Sequence, residues 1–247
     1  MNKKREKGGI GETIRTVVYA VLIALVIRTF AYEPFNIPSE SMLPTLLVGD
    51  YLFVSKYSYG YSRYSLPWGV PLFKGRIWQS EPRRGDVAVF KLPSNNSTDY
   101  IKRIVGLPGD RVQMRNGELF INDQRVPKVR SKDFIYERNG QWLSVPRFME
   151  ILPGGPQHDT LDFIAGGEHD TTQEFLVPPA HYFTMGDNRD NSLDSRARAG
   201  VGMVPVENLV GRAEFLFFST DGSARVWEFW RWPLAIRFDR LFKQVSD

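Results

Sequence analysis

The chain has 247 residues, 42% hydrophobic and 24% charged, with a net charge of +4 and no cysteine. That length supports one large domain or two small ones, and the missing cysteine excludes a disulfide framework, a thiolate nucleophile and a cysteine-held metal. The basic residues are scattered apart from Lys3-Lys4-Arg5, which leaves nucleic-acid binding a weak alternative.

Residues 14–31 are mostly apolar, and residues 16–27 carry no charge. Eighteen residues at about 1.5 Å each span roughly 27 Å as a helix, against a hydrocarbon core of about 30 Å. Arg15 and Arg28 lie near the ends, where long side chains reach headgroups, and Tyr32 and Phe35 supply an aromatic belt. Lys3, Lys4, Arg5 and Lys7 precede the run, so the positive-inside rule puts residues 1–13 in the cytoplasm. Residues 32–247 then form an extracytoplasmic domain. Two other readings are a cleaved signal peptide and a buried core helix. Thr29-Phe30-Ala31 is the nearest small-x-small cleavage site, but Tyr32-Glu33-Pro34 follows it at once, which favours an uncleaved single-pass anchor.

The stretch Pro38-Ser39-Glu40-Ser41-Met42-Leu43-Pro44-Thr45 follows the anchor. Pro38 and Pro44 fix their own φ and push the preceding residues toward extended geometry. In an extended segment residues i and i+2 face the same side, so Ser39 and Ser41 can share one site. A plain Ser/Pro loop is the alternative.

Short strand-like segments follow, broken by Gly, Pro, Asn and Asp. They cover residues 51–54, 86–90, 100–105, 111–114, 118–121 and 210–218. Asn116-Gly117 between two of them is a hairpin signal, and Asn139-Gly140 is a second. No long helical period appears between residues 50 and 225, so the fold class is mainly β, with a closed or coiled sheet. Residues 57–79 read as a long excursion and residues 154–172 as a polar surface loop or mobile ribbon tip.

A serine nucleophile needs a base. His158 and His169 fall in the polar loop, where a solvated role is expected. His181 falls at a turn after Pro178-Pro179. Lys102 is the stronger candidate, because Tyr100-Ile101-Lys102-Arg103-Ile104-Val105 is an apolar strand whose interior would pull a lysine pKa down. Alternation puts Lys102 on one face with Tyr100 and Ile104, and Arg103 on the other. An exposed edge lysine is the alternative. Gly186-Asp187-Asn188-Arg189-Asp190-Asn191-Ser192-Leu193-Asp194-Ser195-Arg196 is the densest polar run, suited to orienting a base by charge-assisted hydrogen bonds. Its Asp spacing does not give an EF-hand loop, so no metal is expected. Trp227-Glu228-Phe229-Trp230-Arg231-Trp232-Pro233 fits either a membrane-interface contact or a core strand, and residues 236–242 fit a short helix or strand.

In their order along the chain, the Ser39/Ser41 block, Arg84-Gly85-Asp86-Val87-Ala88-Val89-Phe90, the Lys102 block through Gly109-Asp110, and the 186–196 run resemble bacterial type I signal peptidase. The anchor matches as well, and the likeness covers roughly residues 14–215. The resemblance implies a mostly β catalytic core with a second β region inserted at about 111–180. It implies a serine endopeptidase that removes N-terminal signal peptides from exported preproteins, cleaving after small residues at Ala-x-Ala sites. Ser41 would be the nucleophile and Lys102 the general base. Ser39 and the Ser41 N–H would form the oxyanion hole. Ser192 would hold the lysine, supported by Asp194 and Arg196. Ile37, Pro38, Met42, Leu46, Tyr100 and Ile101 would line the S1 and S3 pockets. No cofactor would be needed. The expected setting is the cytoplasmic (inner) membrane, as a monomer that binds lipid bilayer and signal peptides, contacts the secretion translocon and binds no nucleic acid. The rivals are another Ser-Lys processing peptidase and a non-catalytic, membrane-anchored β module that binds exported chains.

Overall fold

The computed structural model describes residues 10–66, 69–70, 72–138, 140–197, 200–224 and 227–245. The basic residues 1–9, and Asn139 of the second hairpin signal, lie outside that set. The apolar run forms helix α1 (Ile10–Phe30), which starts four residues earlier than the sequence suggested. At about 1.5 Å per residue its 21 residues reach ~32 Å, enough for a bilayer core. None of them is buried against the protein. Mean hydropathy reaches 1.9 over its most apolar stretch. Such a surface is stable only in an apolar surrounding.

The helix runs directly into strand β1 (Tyr32–Asn36). Its last turn is tied down there. Tyr61 donates its hydroxyl to the Phe30 carbonyl, and Lys56 N–H bonds to the Ala31 carbonyl at 3.0 Å. Glu33 accepts from Arg28 at 2.8 Å and pairs with buried Lys56 at 2.9 Å.

Strands β2 (Asp50–Ser55), β3 (Val87–Lys91) and β4 (Asp99–Gly106) follow. Nine further strands make up the inserted region. They are β5 (Arg111–Arg115), β6 (Glu118–Ile121), β7 (Gln124–Arg125), β8 (Lys128–Arg130), β9 (Phe134–Arg138), β10 (Gln141–Val145), β11 (Arg147–Ile151), β12 (Gln157–Leu161) and β13 (Phe175–Leu176). The chain then returns with β14 (His181–Met185), β15 (Val204–Pro205) and β16 (Leu209–Ser219).

The main sheet has seven antiparallel strands in the order β1-β2-β16-β3-β4-β14-β15. The last strand of the chain therefore sits inside the sheet. Register shifts along β16 at 209/211, 213/215 and 216/218 mark bulges, which bend a strand and raise its twist, so the sheet coils. The inserted strands form three smaller sheets, and Asn116-Gly117 turns β5 into β6. Both turn residues have positive φ, +50° and +78°, the geometry that favours Asn-Gly. One core packs under the seven-stranded sheet around Leu52, Val54, Val89 and Leu216. A second joins β4 and β14 to the insert through Val105, Phe183, Met114 and Ile121.

Three expectations change. His158 is buried on β12, because the polar stretch 157–161 pairs with β11. His181 begins β14, where its Nδ1 lies 2.8 Å from the Pro179 carbonyl. The aromatic tail is no core strand. It forms a 3₁₀ turn at Phe229–Arg231 and a short helix α2 (Trp232–Ala235), with Trp227, Phe229 and Trp230 exposed. Pro233 explains this, since it suits a first helical turn and cannot donate to a sheet.

Because no residue of α1 is buried and its ties to the β domain are confined to its last turn, a chain beginning at Thr29, which keeps the Phe30 carbonyl bonded to Tyr61, should keep the fold. Its thermal unfolding followed by circular dichroism should lie within a few degrees of the full chain in detergent. A large drop would show that α1 is part of the folded core.

Candidate active site

The loop between β1 and β2 carries both serines. It is closed at its base by Ile37 N–H to Asp50 O at 2.8 Å and Gly49 N–H to Ile37 O at 3.0 Å. Met42 and Leu46 point down into the core and are fully buried. That fixes Ser41 at the surface of the sheet beside β4.

Lys102 lies in mid-strand on β4, between β3 and β14, and opposite Ala88. It is only 4% exposed, so the edge-lysine alternative is excluded. Its Nζ donates to Ser41 Oγ at 2.7 Å and to the Ile101 carbonyl at 3.0 Å, and stands 5.5 Å from the Tyr100 ring centroid. Burial pulls its pKa down to about 8, against the opposing pull of Asp194 and Asp187. Ser39 Oγ lies 3.4 Å from Ser41 Oγ. The residue type, spacing and burial therefore meet: a hydroxyl, a lysine poised near neutrality and a second hydroxyl.

The 186–196 run wraps behind this pair. Asp194 and Arg196 form a buried bidentate pair at 2.9 and 2.8 Å, and Asp194 also accepts from Gly186 N–H at 3.0 Å. Burial works against the Asp194 charge, but Arg196 and these hydrogen bonds win and hold its pKa below the usual range. Ser192 differs from expectation. Its Oγ is buried beside Gly186 but has no hydrogen-bond partner among the described residues, and so makes no bond to Lys102.

The sequence reading missed a second buried pair. Arg103, on the opposite face of β4, grips Asp187 through bonds of 2.8 and 2.7 Å, and Asp187 also accepts from Thr45 Oγ1. Burial raises the Asp187 pKa and Arg103 more than reverses it. A third pair, Arg189 with Glu150 at 2.7 and 2.6 Å, ties the run to β11. His158 sits 3.9 Å from both Glu150 and Asp187 with neither ring nitrogen hydrogen-bonded. Burial and nearby Arg103 push its pKa down to about 4, so it is neutral at pH 7. The only sequence signal for these partners was their density in one polar run, and the Glu150 contribution came from another sheet.

A cleft of about 520 Å³ opens over the serines. Its walls include Phe35, Ile37, Pro38, Val89, Tyr100 and Ile101, with Asn191 and Leu193 opposite. Of the six residues expected to line subsites, Ile37, Pro38, Tyr100 and Ile101 do so. Met42 and Leu46 do not, because the helical turn that bonds Leu46 N–H to Met42 O directs both into the core. The carboxylates of Asp162, Asp170 and Asp190 approach one another elsewhere, but Asp162 is neutralised by Lys128 and Asp190 accepts two backbone N–H bonds.

Gly186 is where the run comes closest to the nucleophile loop. A Cβ there would lie 2.2 Å from Ser192 Oγ and 2.5 Å from the Ser41 carbonyl oxygen. Gly186→Ala should therefore displace the loop and lower any catalysis that uses Ser41 by about 100-fold or more, since ~1 Å errors at a reacting group have that scale of cost. Steady-state kinetics on a folded variant checks this, and near-native turnover would mean the loop position is not critical.

Residues 10–218 match the family model described as signal peptidase, peptidase S26. Signal peptidase I of Rickettsia typhi is 38% identical, with the alignment covering 100% of this chain and 99% of that protein. Signal peptidase I of Rickettsia canadensis is 39% identical over 94% of this chain and 92% of that one. A solved signal peptidase I from Enterococcus faecalis aligns at 26% identity over 54% of this chain and 97% of its own, with a TM-score of 0.33. With identity of this level along the whole chain, and a family match running from α1 into β16, the chain belongs to the signal peptidase family, peptidase S26.

Proposed function

We propose that this chain is a membrane-anchored serine peptidase that removes signal peptides from exported proteins, with Ser41 as nucleophile and Lys102 as its base. The carrying observation is the 2.7 Å contact between Lys102 Nζ and Ser41 Oγ in a buried setting. Neutral Lys102 takes the Ser41 proton as Oγ bonds to the scissile carbonyl carbon. The Ser39 hydroxyl and the Ser41 N–H stabilise the oxyanion, at about 3 kcal/mol per donor. Lys102 then passes the proton to the leaving amine and the mature chain departs. Lys102, neutral again, takes a proton from water as the water oxygen attacks the acyl carbon, and the proton passes to Ser41 Oγ as the signal peptide is released.

The apolar wall of the cleft suits an extended segment with small side chains, as at Ala-x-Ala sites. Residues 1–13 lie in the cytoplasm in this proposal, residues 14–31 span the inner membrane and residues 32–247 face outward. The basic start of the chain supports that orientation. The exposed Trp227, Phe229 and Trp230 suit headgroup depth. Substrate would arrive from the secretion translocon. A monomer suffices, because serines, lysine and cleft all come from one chain.

The test is cleavage of an Ala-x-Ala preprotein in detergent or lipid by the native chain, Ser41→Ala and Lys102→Ala. Activity should fall by more than 10³-fold in both folded variants, the scale lost when a nucleophile or base is removed from such a unit. A Lys102→Ala variant that still cleaves would mean that the base lies elsewhere and would return attention to the histidines, an active Ser41→Ala would mean that the nucleophile lies elsewhere, and no cleavage by any of the three would leave a binding module. The native kcat/KM should rise with pH and level off above about 8, as Lys102 becomes neutral.

The same shift carries a stability consequence. The Lys102 pKa is lowered on folding, from about 10.4 in an unfolded chain to about 8. The folded protein then binds fewer protons than the unfolded one between these values, so stability rises with pH across that window. The full penalty stands below pH 8. Lys102→Met should accordingly raise stability at pH 7 by up to roughly 3 kcal/mol, at about 1.4 kcal/mol per pKa unit. The gain should vanish near pH 10, and equal unfolding free energies at pH 7 would show that Lys102 carries no such penalty.

A further inference from the structure

The geometry points to Asn188 as a positioning residue that aims the Ser41 N–H at the oxyanion. This rests on the proposed use of that N–H as an oxyanion donor. The Glu40 carbonyl and the Ser41 N–H belong to one planar peptide unit, so fixing the oxygen fixes the direction of the N–H. Asn188 Nδ2 donates to the Glu40 carbonyl at 3.1 Å, and Asn188 N–H donates to the Ser41 carbonyl at 3.1 Å. The peptide units on both sides of the nucleophile are therefore held by one residue. Leu43 N–H also bonds to the Glu40 carbonyl, at 3.1 Å, and closes the turn from within the loop. Asn188 supplies the bond from outside it, and so sets the loop against the rest of the protein.

Asn188 is well suited to that task. It is 1% exposed. Its backbone is clasped to β12 by Leu161 N–H to Asp187 O and Arg189 N–H to Leu161 O, both 2.8 Å. Its two neighbours, Asp187 and Arg189, are each locked in a buried ion pair. The orientation of its amide is determined as well, since a carbonyl oxygen only accepts and must face Nδ2. Oδ1 is buried and accepts no hydrogen bond among the described residues, so the donor side of the amide is the side that engages the loop. Donation into the Glu40 carbonyl also polarises the peptide and strengthens its N–H as a donor.

The test is Asn188→Leu, which keeps the shape, removes the donor and removes the orphan acceptor. We expect kcat to fall about ten- to hundredfold, less than the ~10²–10³ of losing an oxyanion donor outright. KM should stay within about twofold, the pH limb set by Lys102 should not move, and the melting temperature should hold or rise. Affinity for a peptide aldehyde, which forms a tetrahedral adduct on Ser41, should fall by the same factor as kcat/KM. Asn188→Ala is the second variant should Leu not fit, with the same expectations for kcat and the aldehyde. Unchanged kcat in a folded variant overturns the inference. So does a loss of kcat matched by a shifted pH limb, or by a fall in stability alone. Ser41→Ala run alongside separates the two levels: an active Ser41→Ala removes the proposed site itself, whereas an inactive one with a native-like Asn188→Leu removes only the role of Asn188.

Discussion

Every feature of the site depends on keeping one amine dry. Lys102 can act as a base only if burial outweighs the attraction of nearby carboxylates for its proton. Two carboxylates, Asp194 and Asp187, are close enough to raise its pKa. Each is bound face to face by an arginine, Arg196 and Arg103 respectively. The pairing leaves the lysine with dipoles rather than bare charges for neighbours, so desolvation dominates. Arg196 also lowers the Lys102 pKa directly, on the same side as burial.

These ion pairs are better understood as positioning devices than as sources of stability. A buried pair rarely gains more than its desolvation cost, but breaking one leaves an uncompensated charge and costs ~3–5 kcal/mol. Such groups therefore tolerate few alternative arrangements. They hold the nucleophile loop at two points after Ser41. Thr45 bonds to Asp187. Asp50, where the loop enters β2, is gripped by Arg240 and Ser219, while Arg240 also bonds to the Thr45 carbonyl at 3.0 Å. Residues from near the C-terminus thus set the geometry of a loop near the N-terminus. The placement of β16 between β2 and β3 brings those two ends of the chain together.

Local features were legible in the sequence and long-range ones were not. The Asn116-Gly117 hairpin, the apolar strand carrying Lys102 and the anchor each follow from a pattern a few residues long, and each is present. Ser39 and Ser41 did come to lie side by side, as their spacing between prolines suggested. The position of β16 inside the sheet was not legible, because strand order depends on packing between distant segments. The burial of His158 was hidden for a similar reason. Gln157-His158-Asp159-Thr160 reads as solvated, yet pairing with β11 turns His158 and Thr160 inward, with Glu150 and Asp187 each 3.9 Å from His158. The family resemblance placed Met42 and Leu46 among the pocket residues. A single helical turn rotates them into the core instead. The lysine and serine named by the family likeness lie 2.7 Å apart, whereas Ser192, expected to hold the lysine, has no hydrogen-bond partner for its Oγ among the described residues.

The anchor adds a further constraint. Only Ala31, the five residues of β1 and the short Ile37-Pro38-Ser39-Glu40 segment separate the end of α1 from Ser41, and the end of α1 is bound to the β domain by Tyr61, Lys56 and Glu33. Phe35 lines both the cleft over Ser41 and a neighbouring cavity that reaches Arg28 in the last turn of the helix. The cleft therefore opens close to the level at which α1 leaves the apolar layer. A signal peptide is held in the same layer by its own apolar segment. Confining both partners to one plane raises their effective concentration without any added contact. A largely apolar cleft with one buried lysine is then sufficient contact for a signal peptide. Membrane confinement and the small residues at the cut site supply the selection that a deep, closely fitted pocket would otherwise have to provide.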